Sequence, residues 1–512
     1  MKRKIIILVL LIIAILATSC SSSVKLTEKD KEFISKYYTE YESELFDTEN
    51  IVLSFAAMSD LHIGGKNQPE KLAKAINLLN KRVKPGLDAL LFAGDLTDLT
   101  GYKVQEDEIK IFKKVIDENR DKNTSILYVL GNHDENSEVS MSPSFYRIFG
   151  ESFYNADVLD KEEIFSGRHH WIVNGYHFLG ADFDWSSDDY VGKNLEWIDT
   201  KLKEITEKEP NKPVFVTVHA PRSNVDKTLS KYPQVILLTG HTHLPLNSDR
   251  AIKQTTYTHL HCGGMYYYRQ YTVDGKLMEE LGEIHNFMQG YLVEVDKNQN
   301  VRVIRMDFYH EKAYEPVWII PAPKEDKSHL LYTEVLKDKS KRPYFEDTEI
   351  DLSDSLTYTF IGRFKTAKTE STNPIELYEI TLWQTDKVET KYISTYYAIT
   401  EIDDFPDEYE FRFINVDADT HAVSISAYDC HGSSSNNILY NKGLYFVDIR
   451  SNVPGNANIK AYKQGEKVRV RITPPAGYSI ENITAEGIEL DDSMSFDMPD
   501  NNVIINVTYS KR

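Results

Sequence analysis

Hydrophobic and polar positions follow three different rules along this chain. Near the start, Ile5 to Ala17 is an unbroken apolar run behind Lys2, Arg3 and Lys4. It is shorter than the roughly 20 residues a bilayer-spanning helix needs, and it has the make-up of a secretory signal. From Ile51 the pattern changes to short apolar runs: Ile51 to Met58, Ala89 to Ala93, Ser125 to Leu130, Val214 to Val218 and Val235 to Leu238. Leu72, Ala75, Ile76 and Leu79 recur between the first two at helical spacing. Buried strands separated by helices predict an α/β sheet. Val301 to Met306 reads as its last strand, with Pro321 and Pro323 marking the exit. Beyond about residue 340 the period becomes two. Tyr409, Phe411 and Phe413 alternate, as do Val423, Ile425 and Ala427, then Val503, Ile505, Val507 and Tyr509. That period predicts strands with one buried face.

Composition narrows this picture. The chain has 512 residues, too many for one core, so several domains are expected. It carries 79 acidic and 59 basic side chains, a net charge of −20, which argues against a nucleic-acid-binding face. Three cysteines cannot make a disulfide framework. Cys262 and Cys430 are expected to be free buried thiols.

Each apolar run of the second region ends in a polar cluster. These are Asp60-Leu61-His62, Gly94 to Asp98, Gly131-Asn132-His133-Asp134, His219, and Gly240-His241-Thr242-His243. In open α/β sheets ligands bind beyond the carboxyl ends of the strands, so the five clusters should meet at one edge of the sheet. Carboxylate, amide oxygen and imidazole suit manganese, iron, zinc or nickel, and the lack of thiolate argues against a structural zinc site. Glycines 94, 131 and 240 permit tight turns. Arg222 is a candidate phosphate contact. His169 and His170 face opposite ways on a strand, so at least one is expected to be structural. His259 and His261 share a strand face and are expected to pack, and Tyr266, Tyr267, Tyr268 and Trp185 are expected to be mostly buried.

Taken in order, D-x-H, G-D-x-x-D, G-N-H-D, a lone His and G-H-x-H resemble the calcineurin-like metallophosphoesterase superfamily over roughly residues 50 to 310. The variant is similar to class III cyclic-nucleotide phosphodiesterase-like members. The resemblance implies a four-layer α/β/β/α sandwich holding two metal ions. It implies Asp60, His62 and His243 on one ion, Asn132, His219 and His241 on the other, and Asp95 bridging both. His133 would serve the leaving oxygen, oriented by the Asp98 carboxylate. The implied reaction is in-line attack on phosphorus by water activated at the metal pair.

Other resemblances place the rest. Ala17-Thr18-Ser19-Cys20 resembles a bacterial lipobox, which implies lipid on Cys20 and a membrane anchor in the cell envelope. The segment ending Ala427 to Ser434 resembles the last hairpin of a fibronectin type III domain, and Pro474 to Tyr478 resembles small β repeat modules of bacterial surface proteins. The expected organisation is a signal peptide over 1–19, a tether over 20–48, the metallophosphoesterase domain over 49–322, a β-sandwich over 335–450 and an all-β module over 456–512. The expected activity is hydrolysis of a phosphoester, a diester more than a monoester. The contrasting reading is a catalytically silent surface protein whose β domains contact a glycan or a protein partner.

Overall fold

The computed structural model describes residues 46–511 except 85, 99–101, 136–140, 155–156, 159–160, 272–276, 282–286, 328, 331–341, 353–357, 371–374, 396–405, 430–432, 454–457 and 492. The expected signal peptide, Cys20 and almost all of the tether lie outside the described residues, as does Cys430. The chain divides into two compact units. One holds the residues up to 270 together with 279–337; the other holds 271–278 together with 338 onward. Among the described residues no helix is long and apolar enough to cross a membrane.

The first unit contains two sheets. In one, β1 (Ile51–Met58), β2 (Ala89–Ala93) and β3 (Ser125–Val129) run parallel. Three antiparallel strands extend it on the β1 side: β13 (Gln289–Asp296), β14 (Val301–Asp307) and β15 (Lys312–Ile320). The other sheet has the order β4-β5-β6-β7-β8-β10-β9, with β4 (Asp157–Val158), β5 (Arg168–Val173), β6 (Tyr176–Ala181), β7 (Val214–Val218), β8 (Val235–Thr239), β9 (Ile252–Gln254) and β10 (Thr258–His261). Strands β6, β7, β8 and β10 are parallel.

Alternation within each strand builds the layers. Phe55, Ala57, Leu91 and Leu127 face the second sheet and pack on Phe178, Phe215 and Leu238. Edge-to-face contacts of Phe55 with Phe178 (5.2 Å) and Phe215 (4.8 Å) join the two sheets; each such pair adds about 0.5–1.5 kcal/mol beyond its buried area. The intervening residues Ala56, Met58, Leu90 and Phe92 face outward onto helices Gln68–Arg82 and Tyr102–Asn119. Leu72, Ala75, Ile76 and Leu79 form the buried stripe of the first helix, which has Pro69 in its first turn and Lys81 and Arg82 in its last. On the far side, Leu195, Ile198, Leu202 and Ile205 of helix Asn194–Lys208 cover Val216, Val218 and Leu237. The result is helices, sheet, sheet, helices.

Three sequence expectations change here. The polar clusters do not sit on one sheet edge. Those after β1, β2 and β3 belong to the first sheet and those after β7 and β8 to the second, because β2, β3, β7 and β8 are buried on both faces and the runs alone do not say which strands are neighbours. Val301 to Met306 is not the last strand, since β15 pairs beyond it with a register shift between Val303 and Arg305. Pro316 lies in β15, and an edge strand tolerates a proline. The domain also starts before residue 49. Phe46 is fully buried, with the Arg302 guanidinium 4.7 Å from its ring centroid, and Lys297 pairs with Asp47 at 2.8 Å.

The second unit is all β. A two-stranded sheet, β16 (Thr359–Lys365) with β19 (Glu408–Ile414), packs on a four-stranded sheet ordered β18 (Val388–Ser394), β17 (Ile375–Gln384), β20 (His421–Asp429) and β21 (Ile438–Lys442). Phe360, Phe364, Phe411 and Phe413 meet Tyr378, Ile380 and Ile425 between them. A smaller core of Val468, Phe496, Val503, Ile505 and Val507 follows. It is covered by β23 (Asn458–Tyr462), β22 (Tyr445–Ser451), β27 (Val503–Lys511) and β25 (Tyr478–Glu486). The expected sandwich bounds of 335–450 take in most of β22 (Tyr445–Ser451). That strand instead pairs with β27 and β23, and long-range pairing of this kind leaves no local mark in the sequence.

Candidate active site

The polar clusters meet where β1, β2, β3, β7 and β8 end. Asp60, His62, Asp95 and His243 form one group of potential ligands, and Asp95, His219 and His241 form another. Asp95 belongs to both. Asn132 joins the second group through its Oδ1, 2.8 Å from His241 Nδ1. The structure therefore gathers all seven expected ligands. His62, Asp98 and His133 make a third, adjoining group.

Backbone strain aims these side chains. Asp60 (φ 55°), His62 (φ 46°), Asp95 (φ 51°), His241 (φ 70°) and His243 (φ 48°) all occupy the left-handed region. Each such conformation costs about 1–3 kcal/mol, and such costs cluster at functional sites. Hydrogen bonds from Asp60 N to Gly94 O and from His62 N to Asp95 O, both 3.0 Å, lock the first two turns together. Gly240 has no room for a side chain: a Cβ there would lie 1.8 Å from Ser59 Oγ and 2.5 Å from Asp60 Oδ2.

The histidine tautomers follow from their partners. A carbonyl oxygen only accepts, so each ring nitrogen facing one carries the proton. His219 Nδ1 donates to Ala93 O at 2.7 Å, His243 Nδ1 to Tyr267 O at 3.0 Å and His133 Nδ1 to Asp98 O at 3.0 Å. Nε2 of each is left for the site. His243 Nε2 lies 3.0 Å from Asp60 Oδ1, and His219 Nε2 lies 3.1 Å from Asp95 Oδ2. His62 Nε2 and His219 Nε2 are buried and make no hydrogen bond. Orphaned buried nitrogens beside carboxylates are what a cation site requires.

Asp98 departs from its expected role. Its carboxylate lies 3.1 Å from His62 Nδ1, while its backbone carbonyl accepts from His133. The sequence motif names the residue but not which of its oxygens meets which ring. Arg222 is exposed and lies over the Tyr190 ring at 4.4 Å. His169 is buried on Asp182 at 2.7 Å, and His170 meets His177 at 2.9 Å. His261 Nε2 donates to Gly240 O at 2.7 Å, so it supports the turn carrying His241. His259 meets the Thr239 hydroxyl at 2.8 Å. Tyr267 and Tyr268 are buried, with Tyr267 stacked on His243 at 3.9 Å, whereas Trp185 is 51% exposed. Cys262 is a free buried thiol.

The G-N-H-D motif by itself assigns Asp134 no role. Fully buried, it accepts hydrogen bonds from the backbone of Leu96, Thr97 and Gly131. It thereby holds the second and third clusters together, and burial followed by the charge on Asp95 pushes its carboxyl up to about 7. Burial, then the neighbouring His219, lowers His241 to about 4. An imidazole held neutral is a ready ligand. Burial opposes ionisation of Asp60, but His243 and His219 overcome it and hold the carboxyl well below the usual range.

Residues 53–245 match the family model described as calcineurin-like phosphoesterase. They are a calcineurin-like phosphoesterase domain. No curated protein matches the chain. Among solved structures, the NAD nucleotidase NadN of Haemophilus influenzae is similar at 15% identity, with 55% of each chain covered and a TM-score of 0.30. Purple acid phosphatase PPD1 from seeds of yellow lupin (Lupinus luteus) is similar at 14% identity, over 54% of this chain and 55% of that one, with a TM-score of 0.37. A glycosyl hydrolase family 2 member from Bacteroides cellulosilyticus shares 8% identity over 89% of this chain and 57% of its own, with a TM-score of 0.23. The chain thus spans little more than half the length of these structures. The phosphoesterase domain contains every candidate ligand, from Asp60 to His243.

Proposed function

We propose that this chain is an exported, lipid-anchored phosphoesterase that uses two metal ions to hydrolyse a phosphodiester. The observation that carries the reading is the pair of ligand groups that share Asp95. Asp60, His62 and His243 would hold one ion, Asn132, His219 and His241 the other, and Asp95 both. Bound there, the ions would supply Lewis acidity toward phosphoryl oxygen and lower the pKa of a water. The identity of the metals is open among manganese, iron, zinc and nickel.

His133 would be the group that transfers the proton. Its Nδ1 proton is committed to Asp98 O, so Nε2 is the nitrogen that can donate to a leaving oxygen. Burial works against its protonation, but the nearby Asp95 outweighs that and raises its pKa above the ordinary value. The Asp98 carboxylate lies 3.1 Å from His62 Nδ1 instead, where its charge would act on that ring rather than on His133. Export and the lipid on Cys20 rest on the basic start, the apolar run and the Cys20 motif alone. A diester is favoured over a monoester because the second charge of a monoester calls for a further cation, and Arg222 lies instead over Tyr190.

The test is a soluble protein beginning after Ser23, loaded with manganese and given bis(p-nitrophenyl) phosphate and p-nitrophenyl phosphate. Faster turnover of the diester is expected. Preference for the monoester would make it a phosphatase, and no turnover with metals bound would favour the silent surface protein.

A further inference from the structure

The second unit contains a cleft that the phosphoesterase chemistry does not use. It has a volume of about 460 Å³. Its floor is the outward face of the four-stranded sheet. Tyr378, Ile380 and Leu382 of β17 turn into the sandwich core, so Glu379, Thr381 and Trp383 turn outward. The same alternation on β20 sends Val423, Ile425 and Ala427 inward and Ser424, Ser426 and Tyr428 outward. Asp448 and Arg450 of β22 and Asn458 and Ile459 of β23 form a wall.

From these residues we infer that the cleft binds a neutral oligosaccharide. The lining charges cancel, Glu379 and Asp448 against Arg342 and Arg450, so neither an acidic nor a basic ligand is favoured. Apart from two aromatic rings, only Val388 and Ile459 are apolar. A peptide anchored by apolar side chains therefore finds no pocket. What the cleft offers is hydroxyls, amides and the half-buried Trp383 indole, which also packs on the cluster of Ala422, Leu444 and Phe446. A sugar ring presents the matching chemistry: hydroxyls that both donate and accept, and a C–H face that lies against an aromatic plane.

The polar groups are held in place before any ligand arrives. Asp448 is 1% exposed and accepts from Asn437 Nδ2 at 3.2 Å and from Arg450 Nε at 2.9 Å. Asn437 Oδ1 accepts from Ser426 Oγ at 2.6 Å. The hydroxyls of Thr381 and Thr390 lie 3.0 Å apart. Trp383 Nε1 donates to Ser424 Oγ at 3.2 Å, which fixes the plane of its ring. Preorganised polar groups around an aromatic platform reduce the entropy lost on binding.

The experiment is calorimetric titration of the full chain with malto-, cello-, xylo-, manno- and chitohexaose, with an oligogalacturonate as the acidic counter-probe. At least one neutral hexasaccharide is expected to bind. Trp383→Ala and Thr390→Arg should each weaken that binding by about tenfold or more, with phosphoesterase turnover unchanged. Thr390 is exposed on β18, so Thr390→Arg fills the cleft without touching the core, and it serves alone if Trp383→Ala unfolds the sandwich. Failure of all five neutral sugars, binding of the acidic probe alone, or affinity that survives Thr390→Arg overturns the inference.

Discussion

The two units use the same secondary structure for opposite ends. In the phosphoesterase domain, strands β2, β3, β7 and β8 are buried at every position. Their faces have no surface to offer, so the chemistry sits at their carboxyl ends, on strained turns. In the sandwich, β19 alternates exposed and buried along its whole length, and β17 and β20 keep an outward polar face. Function can be carried there by the face of a sheet. The comparison teaches that a site at strand ends is set by turn geometry and is intolerant of change, whereas a site on a strand face can be altered without disturbing the core behind it.

The contrast is sharpest at Asp95. Asp95→Asn removes a charge shared by both ligand groups, so bound metal, read by mass spectrometry, and turnover should both fall to background. A variant that keeps both metals and its rate would break the comparison. His133→Ala should separate binding from chemistry. Metal content is expected to stay while kcat falls about 10²–10⁴-fold, the range for loss of a positioned acid. Full activity would remove His133 from catalysis.

A matched pair of glycine changes tests the two units directly. Gly240→Ala drives a methyl group into Ser59 and Asp60. Gly362→Ala drives one into Phe411, 2.5 Å from the Cβ position. Overpacking of this kind costs about 1–3 kcal/mol, so both variants should melt earlier. Only Gly240→Ala should also lower metal affinity and rate, because Asp60 is what it displaces. Loss of activity in Gly362→Ala would mean that the sandwich is coupled to the active site.

Much of the active site could be read in the sequence, because apolar runs mark strands and each motif follows one. Ala89 to Ala93 and Val214 to Val218 are strands with the expected bounds. What escaped was the pairing of backbone with side chain. Asp98 lies beside His62 and His133, yet it is its carboxylate that faces His62 and its carbonyl that accepts from His133, a choice fixed by the turn after β2. Asp134 escaped for a related reason: its partners are backbone amides, which carry no sequence signature. Strand β22 escaped because its partner β27 lies some fifty residues further on. Alternation tells that a strand has a buried face, not which core it buries that face in.

The smallest expected effect concerns Glu135, a buried group beside the site that is not among the candidate ligands. Its Oε2 accepts from Met141 N at 3.0 Å, and its Oε1 lies 3.3 Å from Ser142 Oγ, which itself donates to Asp182 at 2.7 Å. With that hydroxyl proton given to Asp182, the shorter of the two contacts, Glu135 is best served by carrying a proton of its own. Burial first, then the charge on Asp182, pushes its carboxyl up to about 8. A carboxyl raised in the fold favours the folded state most below the unfolded pKa near 4.5, and that contribution is lost as pH rises toward about 8. Glu135→Gln keeps the shape and removes the titration. The variant should match the parent protein in urea unfolding at pH 4, below the unfolded pKa, and exceed it at pH 9. Equal stability at both pH values would mean that Glu135 is charged in the fold.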